Sequence, residues 1–245
     1  MKSRAWVLGN TIMILMECGI LVADQAGAAY EGDPSAGGAT VQGRVTFRGA
    51  PPPADRLPVQ RDRAFCGETV PNDVLLVDQA SKGTAGVVVS LEGVVKGKPV
   101  AVGAAVLDNS ACRFHPRVRA IALGTPLEIR NADPVLHNTH IWREGVTFLN
   151  VALPPGGVPV RKTVAGPGRL DVRCDAHKFM QASVHVFAHP YFAVTDDVGR
   201  FELTKVPPGT YRLRVWHEAL GDQEQTVQVS DKGPVTVNLV LDGRR

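Results

Sequence analysis

Cys174-Asp175-Ala176-His177-Lys178-Phe179-Met180 places a thiol, an imidazole and a thioether within a single short run. A thiolate and imidazoles are the strong ligands of a mononuclear copper that passes one electron, and a thioether is its weak axial ligand. The second imidazole such a site requires is offered upstream by His137, in Asn131-Ala132-Asp133-Pro134-Val135-Leu136-His137-Asn138. A loop as short as Cys-x2-His-x2-Met leaves its donors little freedom. The other histidine must arrive from a separate strand, which ties metal binding to correct packing. Zinc is the second choice, because Cys and His suit it, but the soft thioether of Met180 speaks for copper. The plain alternative is a disulfide-linked β-sandwich in which these His and Met residues are ordinary loop residues.

The elements that must position these donors read as strands. Leu170, Val172 and Cys174 alternate with Arg169, Asp171 and Arg173, so Cys174 arrives on the core side of its strand. Pro126 to Arg130 puts Leu127 and Ile129 on one face and leads into the His137 loop. Gly86 to Leu91 is continuously apolar, as a buried central strand would be. Val41 to Phe47 alternates and stops at Gly49-Ala50-Pro51-Pro52-Pro53. After Pro190, Thr195 to Leu203, Val206 to Val215, Thr226 to Val229 and Pro234 to Leu241 supply further short strands with turns between them. Four strands over about fifty residues make a sandwich only marginally able to stand alone. Long helical periodicity is absent, so the expected fold is all-β.

The chain has 245 residues, enough for one large or two small domains. Its start reads as a secretory signal over residues 1–29: Lys2 and Arg4, an apolar run from Ala5 to Ala23, then Ala26-Gly27-Ala28-Ala29. A retained anchor is the other reading of that run, although Asn10 and Glu17 inside it suit a membrane span poorly. Cleavage would remove Cys18 and leave Cys66, Cys112 and Cys174 in a compartment that permits disulfides. The economical pairing is Cys66 with Cys112, freeing Cys174 for metal, while a disulfide at Cys174 would abolish the copper site. Net charge is +3 with the basic residues scattered, which implies no nucleic acid. No transmembrane pattern follows the signal.

On these residues the chain resembles the cupredoxins over roughly residues 39–188, and the Cys174–Met180 spacing is similar to that of amicyanin-like blue-copper proteins. The resemblance implies a Greek-key sandwich. Within it His137 and Cys174 would be strong ligands, Met180 the axial thioether and His177 the solvent-edge imidazole that serves as electron port. It further implies that Asn138 ties the two ligand loops, and Phe179, Pro134 and Val135 could rim a docking face. NADPVLHNTH, CDAHKFM, HPYFAVTDDVGRFEL and VPPGTYRLRVWHE also resemble a group of exported bacterial proteins often labelled methylamine-utilisation proteins. These join a plastocyanin-like domain to a carboxypeptidase-regulatory-like, prealbumin-like sandwich. The implied smaller sandwich occupies residues 189–243 and would be completed by the strand within 39–50.

Three further histidines follow or flank the loops. His140 lies three residues after His137, an odd spacing that puts the two on opposite faces of an extended strand. A second surface metal site would use His140 with His185 or His189; the plainer reading is solvent-facing or hydrogen-bonded rings. His217, beside Trp216 and Glu218, reads as packing between domains. No Ser-His-Asp, paired-carboxylate or phosphate-cradling pattern stands out. The expectation is an exported, periplasmic or secreted, type 1 copper protein that transfers single electrons to a transient redox protein partner, and not an enzyme. A non-redox copper binding or delivery protein and a structural cell-envelope module are the alternatives.

Overall fold

The computed structural model describes residues 29–53, 55–101, 103–231 and 233–243. The expected signal segment, with Cys18, falls outside the described residues except at Ala29. Among the described residues the fold is all-β, with a single helical turn at Arg63–Cys66, as the alternating and continuously apolar runs require.

Two sandwiches account for most of the strands. In the first, one sheet orders Val160–Thr163, Pro126–Asn131, Ala105–Ser110 and Arg113–His115. The facing sheet orders Val146–Leu153, His137–Arg143, Gly168–Arg173, Gln181–Phe187 and Val118–Ala122. Pro126–Asn131 pairs in parallel with Ala105–Ser110, and Gln181–Phe187 with Val118–Ala122; the remaining pairs are antiparallel. Leu107, Phe114, Leu127, Ile129, Ile141, Leu170, Val172 and Val184 fill the space between the sheets. Cys174 and Met180 belong to the same buried cluster, so the Cys174–Met180 loop closes one end of a dry core.

In the second sandwich, Phe192–Val194, Val88–Glu92, Gly209–His217 and Gly221–Val229 form one sheet. Arg200–Val206, Ala39–Phe47 and Val235–Leu241 form the other. Ala39–Phe47 is its central strand, antiparallel to Arg200–Val206 and parallel to Val235–Leu241. Val88–Glu92 is likewise central, which explains why Val88, Val89 and Leu91, and even Ser90, are buried. Arg117 links the two sandwiches by donating to the Gln181 carbonyl and to Glu218.

A third, small unit lies over the Cys174–Met180 loop. Arg56–Pro58 pairs with Thr69–Pro71, and the helical turn Arg63–Cys66 sits between them. The Cys66–Cys112 disulfide fastens this cap to the turn before Arg113. Val59, Val70 and Cys112 form its minor core, with Phe179 of that loop packed against it.

Candidate metal centre

Two backbone segments meet at the site, and each is shaped by its own polar side chains. Asn131 builds the upstream turn: its amide donates to the carbonyls of Val135 and Leu153, and its oxygen accepts from the Asp133 N–H. This delivers His137 at the start of its strand, fully buried. The downstream loop closes on itself, with the Met180 N–H donating to the His177 carbonyl and the Cys174 N–H to the Met180 carbonyl. Asn138 joins the two segments. Its oxygen accepts from the N–H groups of Asp175 (2.6 Å) and Ala176 (3.3 Å), and its amide donates to Asp175 Oδ2. The Asn138 backbone N–H also points at Cys174 Sγ, 3.5 Å away.

The donors converge. Nδ1 of His137 lies 3.1 Å from Nδ1 of His177, and Cys174 Sγ lies 3.7 Å from the His177 nitrogen and 4.0 Å from that of His137. These three atoms form one of the two His/Cys/Asp/Glu groups that could hold a metal among the described residues. The other contains Cys112, whose sulfur is already committed to the disulfide. Met180 is buried in the same cluster as Cys174.

The far nitrogens decide the protonation pattern. His137 Nε2 is 2.8 Å from Asp133 Oδ2, and His177 Nε2 is 2.9 Å from Asp62 Oδ2. A carboxylate only accepts, so Nε2 carries the hydrogen in each neutral ring and both Nδ1 lone pairs face inward. Burial holds the His137 imidazole below its ordinary range, against the opposing pull of the Asp133 carboxylate. Burial likewise pushes the Cys174 thiol up, partly offset by the backbone N–H groups of Asn138, His177 and Ala176. Two inward lone pairs and a sulfur in a dry pocket could hold a shared cation, and a bound metal would stabilise the thiolate that burial disfavours.

The three donor atoms stand 3.1, 3.7 and 4.0 Å apart, close enough to share one ion of the kind that imidazole and thiolate bind.

One expectation needs correction. His177 is not a solvent-edge imidazole: it is 1% exposed. Its Nε2 edge is covered by Asp62 of the cap, and the Phe179 ring packs 5.6 Å from its own. Phe179 is thus engaged with His177 and the cap, while Pro134 and Leu136 remain exposed beside the His137 segment.

The remaining histidines are dispersed. His140 stacks on Trp142, and its two nitrogens face Asp175 and Thr147. His185 is buried against Trp216, between the sandwiches. His189 accepts from the Tyr191 N–H. His140 is not brought together with either of them among the described residues that could hold an ion. His217 is buried and accepts from the Ala219 N–H. Sequence reasoning missed Asp62 and the role of Asp133. Asp133 sat inside the quoted His137 segment, whereas Asp62 is 115 residues from its partner and carried no local signal.

Comparison with known proteins finds one family match, in the C-terminal region, and weak likenesses among solved structures. Residues 175–242 match the carboxypeptidase regulatory-like domain. The match begins inside the Cys174–Met180 loop, whereas the first strand of the second sandwich downstream of that loop starts at Phe192. No curated protein matches the chain. Among solved structures, amicyanin from Paracoccus versutus is 21% identical over 36% of this chain and 85% of its own, with a TM-score of 0.32. A purple cupredoxin from Nitrosopumilus maritimus is 22% identical over 34% of this chain and 99% of its own, with a TM-score of 0.31. A copper-containing nitrite reductase from Thermus scotoductus SA-01 is 24% identical over 37% of this chain, with a TM-score of 0.32, and only 25% of its length is spanned.

Proposed function

We propose that this protein binds one copper ion through His137, Cys174 and His177, with Met180 as the axial thioether, and carries single electrons to a protein partner. The observation that supports this most is the pair of inward-facing Nδ1 atoms 3.1 Å apart beside the Cys174 sulfur, each imidazole anchored on a carboxylate at its far nitrogen. Carboxylate–imidazole pairs of this kind orient metal-bound histidines and raise their donor strength. A site so tightly held between buried strands changes little between oxidation states, which suits a carrier. Copper supplies the exchange of one electron; the chain holds the donors, excludes water and fixes the tautomers.

The same reading places the protein outside the reducing cytosol, where the Cys66–Cys112 bridge would persist. We further assign the strands Ala39–Phe47 and Val88–Glu92 to the C-terminal module, which is then discontinuous in sequence. A small, transient docking interface, below about 1,200 Å², would be enough for electron exchange.

The test is to load the metal-free protein with copper and record its visible and electron paramagnetic resonance spectra. An intense thiolate-to-copper band, absent from Cys174→Ala, is expected. A colourless protein with an ordinary tetragonal copper spectrum would remove this reading, and fast surrender of copper to a chelator with no electron exchange would favour a delivery protein.

A further inference from the structure

The cap over the metal loop has a feature that its own stability does not explain. Asp62 stands at the N-terminal end of the Arg63–Cys66 turn, the position where an aspartate ordinarily caps its own helix. Its side chain makes no such bond. Its backbone is left-handed instead, with φ 56° and ψ 36°, an unfavourable conformation for a residue with a Cβ. The carboxylate is turned onto His177 Nε2 at 2.9 Å, where it closes the outer edge of a buried ring while keeping 37% of its own side chain in solvent.

Three attachments hold it there. The Cys66–Cys112 bridge fixes the end of the turn, Val59 and Val70 pack on Cys112, and Arg63 reaches back to the Val59 carbonyl. Across the ring, Phe179 packs between His177 and the cap core. With the other face of the ring directed at His137 and Cys174, the Asp62 side offers the short way from His177 to water.

Resting on the copper reading above, we propose that Asp62 is the positioning and sealing residue of this site: it sets the His177 tautomer, aims Nδ1 at the Cys174 sulfur, and bars small molecules from the sulfur through the imidazole edge. Small external ligands and thiol-reactive compounds are the class it excludes. The seal does not depend on the metal, because it is made by side chains and backbone of the chain alone.

The experiment therefore follows Cys174 in metal-free, full-length protein, by the rate at which iodoacetamide alkylates the peptide that carries it. Asp62→Gly removes the carboxylate while accepting the left-handed backbone, so the turn still folds. Asp62→Asn also tolerates that backbone and keeps an oxygen that can accept from Nε2–H. Asp55→Ala disturbs the cap at the Asp55–Asn72 contact, away from His177. We expect at least a tenfold faster reaction in Asp62→Gly and near wild-type rates in Asp62→Asn and Asp55→Ala. Equal rates in Asp62→Gly and wild type would overturn the proposal. So would an equal acceleration in Asp55→Ala, which would make the cap a general cover with no special residue. With copper added, Asp62→Asn should shift the absorption maximum relative to wild type, because a neutral amide polarises the ring less than a carboxylate; an unshifted band would refute the positioning role. Failure of the protein to take up copper would remove the electron-transfer reading and leave the alkylation result standing.

Discussion

His137 and His177 face each other through like atoms, Nδ1 to Nδ1 at 3.1 Å, while the Nε2 of each is held by an aspartate from a different part of the chain. Asp133 comes from the turn that precedes His137, and Asp62 from the disulfide-fastened cap. The pair is therefore fixed from both outer sides by the chain itself. The two carboxylates differ in setting: Asp133 is buried, whereas Asp62 reaches solvent.

That difference predicts unequal consequences for stability. Asp133 accepts from the N–H groups of Ala111 (2.7 Å) and Cys112 (2.8 Å) as well as from His137. Ala111 and Cys112 both have positive φ, so the turn they form depends on those bonds. Asp133→Ala would strand two backbone donors and one ring donor in a dry region, at a cost of about 3 kcal/mol or more. Urea unfolding of the metal-free protein should show this loss, with Asp62→Asn nearly silent in the same assay. A loss under about 1 kcal/mol for Asp133→Ala would contradict the account.

Reduction of Cys66–Cys112 should act on the cap and on the unfolded chain together. The bridge spans 46 residues, and closing a loop of that size stabilises by about 4 kcal/mol on the chain-entropy model. The double variant Cys66→Ser with Cys112→Ser should lower the unfolding free energy by several kcal/mol and leave a third sulfur, Cys174, as the reactive thiol of the folded region. Thiol counting before and after reduction checks the second point: one free thiol per chain segment 29–243 in the native protein, three after reduction.

What the sequence disclosed follows from the range over which each cause acts. Donors packed into Cys174–Met180 sit on one tight loop, and the Leu170, Val172, Cys174 alternation sends that loop to the core side; both are local facts. His137 was readable because an apolar strand leads into its turn. The closure of His177 was not, since it depends on Asp62, whose pairing spans 115 residues and involves a residue type common on any surface. Strand alternation marked Ala39–Phe47 and the buried run at Val88–Glu92, yet alternation cannot name a partner. The parallel pairing of Val41 with Val235 requires the whole intervening chain to cross over, and nothing near either strand records that.

Stability should also depend on pH through two buried rings. Burial, helped by the nearby Arg169 guanidinium, pushes the pKa of His185 down to about 4, and His217 is lowered to about 4 chiefly by burial despite the adjacent Glu218. Unfolded histidine titrates near 6.5. Between about pH 6.5 and pH 4 the unfolded chain therefore binds protons that the folded one refuses, so stability is full above that window and falls as the pH drops through it. Each ring contributes on the order of 2–3 kcal/mol to that loss. His185→Phe keeps a ring against Trp216 and removes an Nε2 that has no hydrogen-bond partner among the described residues. Its unfolding free energy should decline less steeply than wild type between pH 6.5 and 4.5, and parallel slopes would refute the role given to His185.

Gly43→Ala tests whether the strand at 39–47 belongs structurally to the C-terminal sandwich. Gly43 lies on the central strand of a three-stranded sheet, between Phe201 and Val237. A Cβ there would overlap the Val237 carbonyl, a backbone group that cannot rotate away. With a neighbour on each side, the strand has no free direction in which to shift, so overpacking should cost about 2 kcal/mol or more. Gly37, just before the strand, has open space at its Cβ, and Gly37→Ala should change stability by less than about 0.5 kcal/mol. Because Val237 and Phe201 lie in the second sandwich and the proposed metal donors in the first, any copper uptake measured for wild type should be matched by folded Gly43→Ala while its melting temperature falls. A thermally unaltered Gly43→Ala would mean that the parallel pairing with Val235–Leu241 does not form. A variant that melts normally but loses copper would place this strand beside the metal site instead.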